Sequence, residues 1–277
     1  MPTTDKDSSK RYGESFSRNI GLLTRAEQEI IRQQRIAVLG LGGIGGPCFE
    51  VLVRTGIGAF NIADNDTFEA SNKNRQIHAK NSTIGQRKID VAKSSALDIN
   101  ESVDIREFED VEEENISEIL DGCAVVVHGI DRLRPCIISA REARRKNIPI
   151  VEGWAMPFGN VRVLTKETPS LERIHRLPTR GRPLSEFSNE QIDELELMIL
   201  EQLSQIDHVL DHYEENIMQQ VKQGRAVPSF APTVWLTSAM MATEVIKICL
   251  GRGRLALGPQ FRIYDPFEHE ERHMPSR

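Results

Sequence analysis

The run Arg35–Leu39 (RIAVL) leads directly into Gly40-Leu41-Gly42-Gly43-Ile44-Gly45-Gly46, and a helical stretch follows as far as Thr55-Gly56. No other feature constrains the fold of this chain as strongly. A β-rich run, a Gly-x-Gly-x-x-Gly turn and a helix, in that order, predict the first β–α unit of a nucleotide-binding sheet. Gly40 permits the tight turn, Gly42 lets phosphate oxygens approach the backbone, and Gly45 lets the helix pack close to its strand. The N-terminus of that helix favours negative charge. A second short run, Ala59–Ala63 (AFNIA), stops at Asp64-Asn65-Asp66. Asp64 therefore stands where a carboxylate accepts hydrogen bonds from ribose hydroxyls. To this point NAD, FAD, S-adenosylmethionine and ATP fit equally.

Further strands are expected at 103–108, at 123–128 (CAVVVH, followed by Gly129-Ile130-Asp131) and at 148–152, with helices over about 85–100 and 135–146. This alternation predicts an α/β fold: a Rossmann-like, doubly wound, mostly parallel sheet with helices on both faces. Thr24-x-x-Glu27 is a capping box that opens a short helix at 25–34. Residues 1–15 are polar and read as a disordered start, leaving 16–277 as a single domain. A helical insertion is expected at about 166–227. Within it, Ser188-x-x-Gln191 caps a helix, and apolar residues from Ile192 to Val221 recur at steps of three and four. That periodicity predicts one continuous helix of about 30 residues. A second helix at 233–250 is apolar nearly all round and so expected to be buried, and a last strand falls at 261–264.

Composition narrows the partners. The net charge of −6 argues against nucleic acid as the main partner. No run reaches about 18 uninterrupted apolar residues, so no membrane span is expected. The polar start lacks a secretory core, which makes a cytoplasmic location the expectation. The cysteines Cys48, Cys123, Cys136 and Cys249 form no CxxC pair. A dense disulfide framework and a tetrathiolate zinc site are thereby excluded, and no zinc is expected.

Asn72, Arg75 and Gln76 follow closely after Asp64, and Lys88 comes next. A nicotinamide cofactor has no need of such cations, whereas a triphosphate does. Asp131, at the carboxyl end of a later strand, can hold magnesium between phosphates. His175, Arg173, Arg176, Arg180 and Arg182 could grip an anion but read as a solvated basic loop.

GLGGIG, Asp64-x-Asp66, Ser71-Asn72-x-x-Arg75-Gln76, Lys88 and Asp131 together resemble the ThiF/MoeB/HesA superfamily of ubiquitin-activating-enzyme-like adenylyltransferases. Phe16-Ser17-Arg18-Asn19-Ile20-Gly21, Met156-Pro157-Phe158-Gly159 and Ala242-Thr243-Glu244-Val245-Ile246-Lys247 extend the likeness. Arg54-Thr55-Gly56-Ile57-Gly58, Asn74-Arg75-Gln76-Ile77-His78-Ala79 and Asp131-x-x-x-Pro135 are especially similar to the bacterial tRNA threonylcarbamoyladenosine dehydratase branch.

The resemblance implies that a carboxylate attacks the α-phosphate of magnesium ATP, giving an acyl-adenylate and pyrophosphate. It implies that Asp64 holds ribose, that Asn72, Arg75 and Lys88 hold phosphates, that Asp131 binds magnesium, and that Gly42 and Gly43 give close backbone approach. It places Asp66 and Gln76 in the nucleotide-binding set, and Arg18 in the site of the other subunit of a homodimer. Residues 160–232 hold no cysteine, so no thioester is expected. The substrate is then a small-molecule or carrier-protein carboxylate, with the nucleophile borne by another molecule or a partner protein. A cofactor or small-molecule biosynthesis or modification pathway is implied. The alternatives are a dehydratase-like enzyme acting on tRNA and a non-catalytic nucleotide-binding partner protein.

Overall fold

The computed structural model describes residues 5–206 and 209–273. The chain runs α1 (Asp5–Ser15), α2 (Arg25–Arg32), β1 (Arg35–Leu39), α3 (Gly45–Thr55), β2 (Ala59–Ala63), α4 (Lys88–Ile99), β3 (Asp104–Phe108), α5 (Ile116–Ile119) and β4 (Val125–His128). It continues through α6 (Leu133–Lys146), β5 (Ile150–Glu152), β6 (Gly159–Leu164), α7 (Leu171–Ile174), α8 (Asn189–Ser204), α9 (Ile217–Lys222), α10 (Ala231–Leu250), β7 (Arg262–Asp265) and β8 (Glu270–His273).

One eight-stranded sheet has the order β3-β2-β1-β4-β5-β6-β7-β8. Strands β1 to β5 pair in parallel, and β6, β7 and β8 extend the sheet antiparallel. Strand residues alternate between two cores. Ile36, Val38, Val125 and Val127 face α3, α4 and α10, while Ala37, Leu39 and Val126 face α5, α6 and the insertion. Burial on both faces explains why these strands read as unbroken apolar runs. Helix α10 is long and apolar enough to cross a bilayer by composition, but here it packs on α3 and β6 as a core helix. The strand order reverses between β1 and β4, so a crevice opens beyond their carboxyl ends.

The Rossmann-like expectation matches this sheet, and the capping box at Thr24 and Glu27 forms with both of its hydrogen bonds. Several elements differ from expectation. Helix α1 occupies the stretch read as disordered, of which residues 1–4 lie outside the described residues. Tyr12 anchors it: its ring is buried and its hydroxyl donates to Gly56 O at 2.6 Å. Strands β6 and β8 were not expected, and β6 is buried along its length.

The single long helix expected over 192–221 is not formed. Helix α8 ends at Ser204, and a short 3-10 turn, Leu210–His212, separates it from α9. Asn216 takes a left-handed conformation (φ 63°) at the start of α9, which a continuous helix forbids. Leu203, Ile217 and Val221 of the expected face are buried on either side of the break, but within it Leu210 is 45% exposed and Val209, off the expected spacing, is buried instead. The pattern recorded burial, and the chain turns within it.

Candidate active site

The register of the parallel strands sets a row of residues along one edge of the sheet. Leu39 lies opposite both Ala63 and His128, and His128 lies opposite Glu152. The residues that follow these positions, Gly40, Asp64 and Gly129 to Asp131, therefore share one crevice. Close backbone packing makes it possible. Gly40 has φ +86°, and a Cβ there would lie 2.5 Å from Gly129 O. A Cβ on Gly45 would lie 1.8 Å from Gly40 O, so only glycine lets α3 begin here.

A cavity of about 450 Å³ fills the crevice. Gly40, Gly42, Gly43, Asp64, Asp66, Arg75, Gln76, Lys88 and Asp131 all line it. Asp64 Oδ2 accepts from Leu41 N at 2.6 Å and Oδ1 from Asp66 N at 2.9 Å. Burial raises the pKa of this carboxyl, against the opposing pull of Lys88 and the two backbone donors. Lys88, the first residue of α4, is buried and pairs with the exposed Asp66 at 2.8 Å. The Arg75 backbone is pinned by Trp235, whose Nε1 donates to Arg75 O at 2.7 Å, and its guanidinium donates to Ser71 O and Asn74 Oδ1. Asp131 makes no hydrogen bond or ion pair among the described residues and is exposed to the cavity.

Three expected site residues lie off the cavity wall. Gly45 serves α3 packing. The Asn72 side chain caps its own turn, accepting from Glu69 N at 3.0 Å. Arg18 is exposed on a 3-10 turn and makes no bond within the described chain.

The sequence reading missed the other half of the cavity. It passes Ile130, Leu133 and Cys136 and runs beneath the insertion, along Ile199, Leu203, Val209, Tyr213 and Met218. Helical periodicity signalled that these side chains face a common partner, but not that the partner is the nucleotide crevice. Burial raises the thiol pKa of all four cysteines, to about 12 at Cys123 and Cys249. Cys136, although it lines the cavity, is thus held as a thiol.

At the cavity wall, Glu152 accepts from Arg162 Nε, and His128 Nδ1 lies 3.6 Å away. Arg162 Nη2 donates to His175 Nε2 at 3.0 Å, and His175 Nδ1 meets Gln202 of α8 at 3.2 Å. Burial raises the Glu152 pKa, but Arg162 and then His128 outweigh it and hold the carboxyl well below the usual range. Burial and the Arg162 charge press His175 from 6.5 to about 4. The expectation of a solvated basic loop is corrected here. Arg173, Arg176, Arg180 and Arg182 are exposed, but His175 is buried and ties the insertion to the sheet.

Comparison with known proteins agrees with this geometry. The Bacillus subtilis tRNA threonylcarbamoyladenosine dehydratase is 34% identical over 140 residues, 49% of this chain and 54% of the relative. The molybdopterin-synthase adenylyltransferase of Haemophilus influenzae is 27% identical over 154 residues, 54% of this chain and 63% of the relative. The chain thus spans about half of the first of these relatives and less than two thirds of the second. Among solved structures, Escherichia coli MccB with ATP superposes with a TM-score of 0.69 at 18% identity, covering 99% of this chain and 79% of that one. PaaA gives 0.65 at 19%, covering 98% and 84%. At such identities these two share the fold. The ThiF family model matches residues 16–277, a span that takes in the whole sheet, the glycine loop and the insertion, and the chain belongs to the ThiF family.

Proposed function

We propose that this chain is an ATP-dependent adenylyltransferase that activates a substrate carboxylate and releases pyrophosphate. The observation that carries this reading is a single cavity shared by the glycine loop, Asp64, Arg75, Lys88 and Asp131, the last without an ion pair among the described residues. Local packing supports ATP as occupant. Gln76 is buried at the cavity wall with Oε1 unpartnered among the described residues, an acceptor that a nucleotide donor would satisfy. Asp131 offers the hard oxygen donor that magnesium takes, usually as one or two carboxylates beside substrate phosphates. When bound, the ion would neutralise triphosphate charge.

This chain's residues then do mostly positioning and charge neutralisation. Asp64 accepts from the ribose, and Arg75 and Lys88 face the phosphates. A substrate carboxylate oxygen forms a bond to the α-phosphorus as the bond to the bridging oxygen breaks. Pyrophosphate leaves with that electron pair. Arg18 enters from a second subunit of a homodimer. The raised thiol pKa values favour a nucleophile from outside this chain, a second molecule or a partner protein. Magnesium-dependent exchange of labelled pyrophosphate into ATP, across a panel of carboxylates, tests the reading. Absence of exchange together with absence of ATP binding refutes it.

A second reading is a dehydratase-like enzyme acting on tRNA, favoured by the 34% identity to the Bacillus subtilis relative. Exchange that depends on added tRNA, and on no free acid, would select it.

A further inference from the structure

The cavity has two unlike halves, and the second identifies what the first would activate. Resting on the adenylyltransferase reading, we propose that the chamber beneath the insertion is the acyl subsite for a small monocarboxylic acid with an apolar body, and not for the peptide tail of a carrier protein. Leu133, Ile199, Leu203 and Val209 are each 8% exposed or less, and Tyr213 and Met218 complete the wall. The chamber is continuous with Gly42, Gly43 and Asp131, so a group held there presents its carboxylate toward the phosphates.

Two physical arguments select the occupant. An extended peptide brings N–H and C=O groups that must find partners, and aliphatic side chains offer none. An alkyl or aryl body makes no such demand and gains by leaving water. The second argument is charge. Where the halves meet, Asp131 and Glu196 line the cavity and form no ion pair among the described residues, while Glu152 is held by Arg162. Burial raises the Glu196 pKa, and among the described residues its carboxylate accepts from Leu133 N alone, at 3.0 Å. Arg132, which also lines the cavity, is paired with Asp110 at 3.1 Å. A second carboxylate buried against the insertion wall would find no cation there, since no lysine, arginine or histidine lines the cavity between Glu196 and Ser229 among the described residues. Size is bounded too, because one cavity of about 450 Å³ must take the nucleotide's reacting end and the acyl body together.

Calorimetry on the full chain tests this directly, with magnesium and a non-hydrolysable ATP analogue saturating the site. Hexanoate and 4-phenylbutanoate are titrated against hexanedioate and a short peptide ending in Gly-Gly. At least one monoacid should bind tenfold or more tighter than the diacid and the peptide. Leu203→Trp, which fills the chamber, should weaken that binding tenfold or more while the analogue's affinity stays within twofold. Val209→Ala, which enlarges the chamber, should shift preference toward the bulkier acid and guards against a Leu203→Trp chain that fails to fold. Tighter binding of the peptide or the diacid, or no binding of either monoacid while the analogue binds, overturns the inference and leaves the ATP reading standing. Failure of the analogue itself to bind defeats the ATP reading and takes this inference with it.

Discussion

Asp131 is exposed in the cavity and makes no hydrogen bond or ion pair among the described residues, so its replacement tests chemistry without disturbing the fold. Asp131→Ala should change stability by no more than about 0.5 kcal/mol. Magnesium-dependent exchange should fall about 10²-fold or more, since one preorganised electrostatic group is removed. Full activity would place the metal elsewhere. The cysteines make the opposite case. Cys136→Ser should retain adenylate formation, because a thiol whose pKa is raised by burial is a poor nucleophile. A strict requirement for that sulfur would restore a thioester mechanism.

His175 predicts a pH dependence. Its pKa falls from 6.5 unfolded to about 4 folded, so the unfolded chain binds more protons between those values. Stability therefore rises with pH across that window and is fully present above about 6.5. On acidification it is lost progressively, by on the order of 3 kcal/mol once pH reaches about 4. Denaturant titrations at pH 7 and pH 4.5 should show the loss, and His175→Gln should flatten it. An unchanged slope in the variant would assign it to other groups.

Helix α3 begins where it does because Gly45 lies against the Gly40 carbonyl. Gly45→Ala would force that contact apart, at a cost of about 3 kcal/mol and with displacement of the phosphate loop. Thermal unfolding and ATP affinity should fall together, and an unperturbed variant would mean that the turn is looser than drawn here. Helix α8 is held differently. Its buried face packs on α6 and the cavity, and Gln202 links it through His175 and Arg162 to Glu152. The insertion is thereby fastened to the strand end that carries the site. No local signal announces this, since the linked residues lie far apart in the chain and meet only when β6 pairs with β5.

Considered as one molecule, the protein should be stabilised by whatever its native crevice binds. ATP with magnesium at about 100 times its dissociation constant would add about 2.7 kcal/mol and raise the melting temperature by several degrees, while NAD should not. Equal shifts with NAD would defeat the ATP reading. Arg18 is exposed, makes no bond among the described residues and lies outside its own cavity. If it acts across a homodimer, Arg18→Ala and Lys88→Ala chains should each be inactive alone. Mixed, they should recover activity, because one site of the heterodimer carries both lesions and the other is whole. Inactivity after demonstrated subunit exchange would place Arg18 in cis or outside the chemistry.

The nucleotide half was legible in the residues because its parts are local. A strand, a glycine turn, a helix and an acid at the next strand end each carry their own signal within a few residues, and parallel pairing brings strand ends to one edge. Asn72 shows the limit of such reading: its residue type suits a phosphate ligand, but its amide caps the turn on which it sits. The half beneath the insertion could not be read in the same way. Spacing from Ile192 to Val221 established a buried face, yet burial is indifferent to direction along the chain. A break after Ser204 and a left-handed Asn216 turn one expected helix into two. Side-chain type and period are properties of neighbouring residues, so sequence alone determined the parallel strands and their phosphate loop, but not β6 and β8. Which distant surfaces meet depends on how the whole chain packs, and that packing set the roof of the cavity, buried His175 and left Asp131 without an ion pair among the described residues.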